Sequence, residues 1–321
     1  MIKSAELENS AYEFEAKMPL RHAVPLGLQH VFAMFVGNLT PLLIITSACG
    51  LAGGEFADLQ VSLLQNAMFV AGIVTLVQLY GLGPVGGKVP IIMGTSSGFL
   101  GVFNSVAATM GGGVTAYGAM MGASILGGLF ESVLGVFLKP LRKLFPPVVT
   151  GPIIIAIGLI LAPSAINNCQ ANWLLAFVAL GTVIVCNIWG KGMIKIIPIL
   201  LGVIASYIVG AVSGQVDFTA VHEAAWIGLP VVWDETVFGL FAGGNVDTAM
   251  LGTAAVTIIP IALATMVEHI GDMCAISSTC ERNYIQDPGL HRTLLGDGLA
   301  TSLAALFGAP ANTTYGENTG V

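Results

Sequence analysis

Charge is scarce in this sequence. Asp, Glu, Lys and Arg make up 9% of its 321 residues, while 55% of them are hydrophobic. A soluble globular chain carries about 25% charged residues, so the deficit excludes an ordinary soluble domain and points to a polytopic membrane protein. Basic residues are especially sparse: eleven in all, a net charge of −7 and no basic stripe, which argues against a nucleic-acid partner. Cysteine is scarce too. Cys49, Cys169, Cys186, Cys274 and Cys280 are scattered without the paired spacing of a metal site and read as small hydrophobic residues, so no metal is expected. The Walker lysine loop, the zinc HExxH pattern and the nucleophile elbow are all missing. Neither an enzyme nor a nucleotide-driven pump is therefore expected, and no cofactor. The N-terminus, with Glu6, Glu8, Glu13 and Glu15, is polar and acidic rather than basic then apolar, unlike a cleavable signal peptide.

Long apolar runs are what the chain does have. A bilayer-crossing helix needs about 20 mostly apolar residues, and candidate spans lie near 24–47, 63–83, 90–109, 116–138, 147–163, 171–189, 192–213, 252–276 and 291–308. A tenth begins near 313. With the N-terminus inside and the spans alternating, every Lys and Arg falls on the cytoplasmic side: Lys3, Lys17, Arg21, Lys88, Lys139, Arg142, Lys143, Lys191, Lys195, Arg282 and Arg292. The 214–249 loop on the other side carries Asp217, Glu223, Asp234, Glu235 and Asp247. This asymmetry predicts an N-inside orientation.

Two of the spans are interrupted. Gly94-Thr95-Ser96-Ser97-Gly98 breaks the third, and Asn312-Thr313-Thr314-Tyr315-Gly316-Glu317 stands at the tenth, with Asn312 lying 218 residues after Gly94. Irregular backbone at bilayer depth is tolerated where it lines a protein-enclosed cavity. Paired breaks in two halves of a chain point to a transporter's binding site. Seven spans precede the 214–249 loop, so a second copy starts on the opposite face, as in an inverted repeat. The Pro25-to-Gly37 and Pro260-to-Asp272 stretches match in length and agree with that plan.

Ionisable residues within spans are costly and are functional candidates by default. Glu268 and Asp272 lie four apart in the eighth span and share a helix face, whereas His269 points elsewhere. Two carboxylates on one buried face repel if both are ionised, which makes one of them a candidate for proton exchange. Glu317 follows Tyr315-Gly316, where glycine permits close backbone approach, and an acid also suits a helix start. His30 is a candidate to bond across to the eighth span and orient its acids. Glu131, one turn after Gly127 and Gly128, reads as part of a tight helix contact more than as a substrate contact. Asp297 is either a coupling or a scaffold group. Asymmetric buried acids beside broken helices suit a saturable, ion-coupled site better than a pore.

Five segments together resemble the nucleobase–ascorbate (nucleobase–cation symport 2) transporters, and among them the bacterial uracil permeases. These are Gln29-His30-Val31-Phe32-Ala33-Met34-Phe35, Gly94-Thr95-Ser96, Glu268-His269-Ile270-Gly271, Pro288-Gly289-Leu290-His291-Arg292 and Asn312-Thr313-Thr314-Tyr315-Gly316-Glu317-Asn318. The resemblance covers essentially the whole chain. It implies an all-α polytopic membrane protein with a 7+7 inverted repeat of 14 spans, of which nine to ten are present, and with short strands in spans 3 and 10. It implies a cytoplasmic tail over 1–23, core spans 1–4 over 24–138 and gate spans 5–7 over 139–213. An extracellular loop over 214–249 and core spans 8–10 over 250–321 follow. The sequence is then expected to stop short of a full repeat pair and not to transport alone.

By the same resemblance the substrate is a nucleobase, uracil foremost, imported across the inner (cytoplasmic) membrane with a proton as coupling ion. Glu268 and Glu317 would accept from the pyrimidine N–H groups, and the amides of Gly316 and Ser97 would donate to a carbonyl, beside Tyr315. Asp272, Glu268 and His30 would handle the proton. A homodimer through the gate domain is also implied. Two positions depart from the uracil pattern. Ser97 stands where a phenylalanine is frequent, with Phe99 expected to share its strand face and compensate, and Asp272 stands where histidine is usual. Both leave a xanthine or broader nucleobase permease as the alternative. An anion carrier of similar architecture and a non-transporting membrane binding protein are more distant ones.

Overall fold

The computed structural model describes residues 19–137, 147–216, 218–219 and 247–320. The 1–18 part of the expected tail, Lys139, Arg142 and Lys143, and nearly all of the 214–249 loop lie outside the described residues. Those described are mostly helical. Helix α1 (Leu20–Ala48) is followed by α2 (Ala57–Tyr80), strand β1 (Gly94–Thr95), α3 (Leu100–Met110) and α4 (Gly113–Val136). Next come α5 (Pro147–Ala171), α6 (Trp173–Trp189), the short α7 (Met193–Ile196) and α8 (Pro198–Val212). Helices α9 (Thr248–Ile258), α10 (Ala262–Thr279) and α11 (Leu290–Leu306), strand β2 (Asn312–Thr313) and the short α12 (Gly316–Gly320) complete the order.

Among the described residues, four helical stretches are long and apolar enough to cross a membrane: Ala23–Ala48, Gly54–Tyr80, Gly113–Val136 and Thr248–Thr279. The last joins α9 and α10 through a tight turn at Ile259–Ile261, where Pro260 cannot donate a helical hydrogen bond. Asp247 caps the start of α9, its carboxylate accepting from the Ala249 and Met250 amides at 2.8 and 3.2 Å. Large apolar side chains such as Val61, Leu76, Val133 and Val256 stand exposed on these helices, as lipid-facing surfaces require. The region expected as span 3 is not a continuous helix. After α2 ends at Gly81, with φ 72°, the chain runs back in extended form. Gln78 holds that run, its carbonyl accepting from the Gly87 and Val89 amides at 3.3 Å each, and the Met93 amide donates to Thr75 Oγ1 at 2.9 Å. The expected span 7 is likewise divided, with Pro198 opening α8 after the break that follows α7.

The chain forms two compact units. One contains the described residues within Gly37–Ile160 and Pro230–Gly320, the other those within Met18–Val36 and Leu161–Leu229. In the second, α6 packs on α8. Gly202 lets them approach, since a Cβ there would meet Val183 Cγ2 at 2.7 Å and the Ala179 carbonyl at 2.9 Å. Ser206 Oγ donates to the Leu175 carbonyl at 3.1 Å across the same contact.

The first unit is built around α4 and α11, which cross at their glycines. A Cβ on Gly128 would lie 2.3 Å from the Gly298 carbonyl oxygen, and one on Gly298 would lie 2.5 Å from that of Gly128. Small residues let the two backbones touch, the usual device for packing helices in a bilayer. Ser302 Oγ donates to the Ile125 carbonyl at 3.0 Å and closes the contact with a hydrogen bond.

Candidate functional site

Strands β1 and β2 meet inside the first unit as an antiparallel pair, Gly94 opposite Thr313 and Thr95 opposite Asn312. The Ser96 amide extends the ladder to the Ala311 carbonyl at 2.8 Å. Two residues per strand leave most backbone groups to find partners elsewhere, and side chains of the surrounding helices supply some of them. Thr301 Oγ1 of α11 donates to the Asn312 carbonyl at 2.9 Å. The Thr314 amide donates to Asp297 Oδ1 at 2.8 Å. Asp297 thus holds the irregular segment after β2 through its backbone.

His269 completes this scaffold. Its Nδ1 lies 2.8 Å from Thr314 Oγ1 and 3.4 Å from Asp297 Oδ1, and its Nε2 lies 2.8 Å from Thr293 Oγ1. The Thr293 hydroxyl spends its proton on the Leu290 carbonyl at 3.2 Å. Both ring nitrogens have a threonine hydroxyl within hydrogen-bond distance. A fully buried imidazole with both nitrogens paired is a structural joint. It connects α10 to α11 and to the segment after β2.

The acids lie on α10 as well, one turn apart. Glu268 and Asp272 are both buried, at 7% and 6% exposure. Asp272 is therefore not a solvated residue at a helix end. It neighbours Thr314 and Thr319, and α10 packs against α12. Glu268 approaches the turn that follows β1: a Cβ on Gly98 would sit 3.4 Å from Glu268 Oε2 and 3.4 Å from Thr265 Cγ2. Gly98 thus lies within van der Waals reach of the carboxyl. Thr265 Oγ1 also lies 3.3 Å from Glu131 Oε2, and Glu131 is fully buried on α4 beside Asp297. Glu131 belongs to the α4–α10–α11 contact.

The remaining candidates fall as follows. Ser97 is half-buried, and Ser97–Phe99 form a tight helical turn rather than a strand. The expectation that Phe99 shares a strand face with Ser97 is therefore corrected. A turn advances each residue by about a third of a revolution, and Phe99 is fully buried, stacked on Phe103 with ring centroids 5.6 Å apart. Tyr315 is buried and donates its hydroxyl to Asn38 Oδ1. Gly316 is exposed and opens α12. Glu317 lies in the first turn of α12, and its side chain is outside the described ones. His30 is exposed on the part of α1 that belongs to the second unit.

Sequence reasoning passed over Asn38 and Thr293. Thr293 and Asp297 are four apart on α11, the spacing that puts both on the face His269 meets. Asn38 is a polar residue in the middle of an apolar span, which is itself a signal.

A bundle of apolar helices enclosing a short strand pair, with acids buried beside it, defines a multi-pass membrane protein of the transporter class. Comparison with known sequences agrees. The permease family, by the model named for xanthine and uracil permeases, matches residues 21–321. Among curated relatives, a uracil permease of Bacillus caldolyticus is 33% identical over 93% of this chain and 65% of its own length. A uracil permease of Bacillus subtilis is 34% identical over 93% of the chain and 66% of its own. The uric acid permease PucK of the same species is 31% identical over 92% of the chain and 67% of its own. The chain thus spans about two thirds of the length of these relatives. It belongs to the nucleobase–ascorbate transporter family, whose members are permeases and not enzymes.

Proposed function

We propose that this protein is a proton-coupled nucleobase permease with a preference for uracil. The observation that carries the reading is the placement of Glu268, a buried acid, against the Gly98 turn behind the β1–β2 pair. Uracil is a flat neutral ring with two N–H donors and two carbonyl acceptors. Glu268 and Glu317 match the donors, and the amides of Gly316 and Ser97 match a carbonyl. Asp272, one turn from Glu268 on α10, is the coupling carboxyl. Its affinity for a proton has to differ between outward- and inward-open states for the gradient to drive import.

The larger architecture belongs to the same reading. The strands 218 residues apart correspond as spans 3 and 10 of a 7+7 inverted repeat, entered from an N-terminus on the cytoplasmic side. A core of spans 1–4 and 8–10 rocks against a gate of spans 5–7, through which two copies pair. His30 contributes from the first span to the proton path.

A wider purine range is the second reading, favoured by the half-buried Ser97 in place of an aromatic wall and by the relationship to a uric acid permease. An anion carrier fits poorly, because the carboxyls nearest the strand pair, Glu268 and Asp297, would repel an anion. Uptake of labelled uracil into cells or proteoliposomes, by a version with the full length of the relatives, separates the readings. Saturable uptake that xanthine competes weakly is expected, and strong xanthine competition would favour the purine range. Glu268→Gln should abolish uptake. Asp272→Asn should remove its dependence on external pH. Vigorous uptake with an unchanged pH profile in both variants would overturn the mechanism.

A further inference from the structure

Asn38 is buried on α1, at 1% exposure, within the first unit. Its Oδ1 accepts from the Tyr315 hydroxyl and, at 3.3 Å, from Asn318 Nδ2. The same amide group fills the space above β1: a Cβ on Gly94 would lie 1.7 Å from Oδ1, 2.5 Å from Cγ and 2.9 Å from Nδ2. Gly37, one residue earlier, would place a Cβ 3.5 Å from the Tyr315 hydroxyl oxygen. One side chain therefore touches both broken segments. It rests on β1 at a position only glycine leaves open, and it takes a hydrogen bond from each end of Tyr315-Gly316-Glu317-Asn318.

We infer that Asn38 is a positioning residue, which clamps the start of α12 onto β1 and thereby sets where the Gly316 amide and Glu317 meet a bound base. The selectivity half of this inference rests on the permease reading; the clamp itself does not. Three features favour a positioning role over simple filling of space. Asn38 is polar in an apolar span, where an unpaired amide is costly. Its two donors come from residues that bracket the position proposed to read the base. Its contact with β1 needs glycine at residue 94, so the pairing of strand and clamp is mutual. An offset of about 1 Å in a binding group is enough to alter recognition strongly, so loosening the clamp acts on which base binds before it acts on whether the protein folds.

The test uses Asn38→Leu, which keeps approximate volume and removes the acceptor, and Asn38→Asp, which retains it. Hydrogen exchange on the purified protein is the first measurement. Faster exchange is expected in 312–320 for Asn38→Leu, with 113–136 unchanged and with Asn38→Asp closer to the parent. Unchanged exchange in 312–320 overturns the clamp, whatever transport does. Kinetics of labelled uracil uptake, with xanthine as competitor, are the second measurement. Asn38→Leu should raise KM for uracil about tenfold, the scale of one lost buried hydrogen-bond partner, with kcat changed less and the uracil-to-xanthine ratio shifted. A KM and ratio equal to those of an active parent overturn the selectivity role. Absence of saturable uptake in a parent with the full length of the relatives overturns the permease reading instead, and the exchange measurement still decides the clamp.

Discussion

At the residue scale, the site is set by how few polar groups the interior holds and how fully they are used. His269 has both ring nitrogens bonded to threonine hydroxyls at 2.8 Å. Replacing it with leucine leaves the Thr293 and Thr314 hydroxyls without that partner. His269→Leu should cost about 2 kcal/mol of stability, the usual scale for orphaned buried groups, and should lower the thermal midpoint of the solubilised protein. An unchanged midpoint would mean that the ring is not a structural joint. The acids were readable as residues, because a carboxyl in an apolar span stands out and the four-residue spacing of Glu268 and Asp272 fixes their common face. Their surroundings were not. Asn38 meets Tyr315 across 277 positions of sequence, a pairing that depends on how α1 lies against the strand pair and that no local pattern encodes. His269 is the instructive case: sequence spacing separated it from the acids, and the structure shows where it goes instead, to α11 and the segment after β2.

At the element scale, glycine decides which helices can touch. The α4–α11 crossing depends on Gly128 and Gly298, each of whose missing Cβ atoms would fall within 2.5 Å of the other helix's backbone oxygen. Gly128→Ala should destabilise the protein by about 1–3 kcal/mol, the range for overpacking. Its effect should fail to add to that of Gly298→Ala, since both act on one contact. Independent, additive effects in a thermal-stability cycle would contradict the crossing. Gly127 and Gly128 announced a tight contact in the sequence, but the partner helix did not. The interruption of the third span was legible for a similar reason. Gly94-to-Gly98 is too polar and too glycine-rich to continue a buried helix, and there the chain is a two-residue strand followed by a turn. Hydrophobicity alone drew span 7 as a single crossing. It is blind to the break at Pro198, because the composition stays apolar there while the backbone bonding changes.

At the scale of the whole molecule, scarcity of charge pointed to a membrane protein, and the two breaks in its apolar runs meet as the β1–β2 pair. The family relationship adds the class of activity, over a chain that spans about two thirds of its relatives' length. The central claim is that a nucleobase binds beside the β1–β2 pair, read by Glu268. Equilibrium binding of labelled uracil to the purified protein, with Glu268→Gln alongside, tests it most directly. The account predicts saturable binding that unlabelled uracil displaces and that Glu268→Gln weakens at least about tenfold, as expected when a charged hydrogen-bond acceptor is lost. Saturable uracil binding of equal strength in the folded Glu268→Gln protein would contradict it.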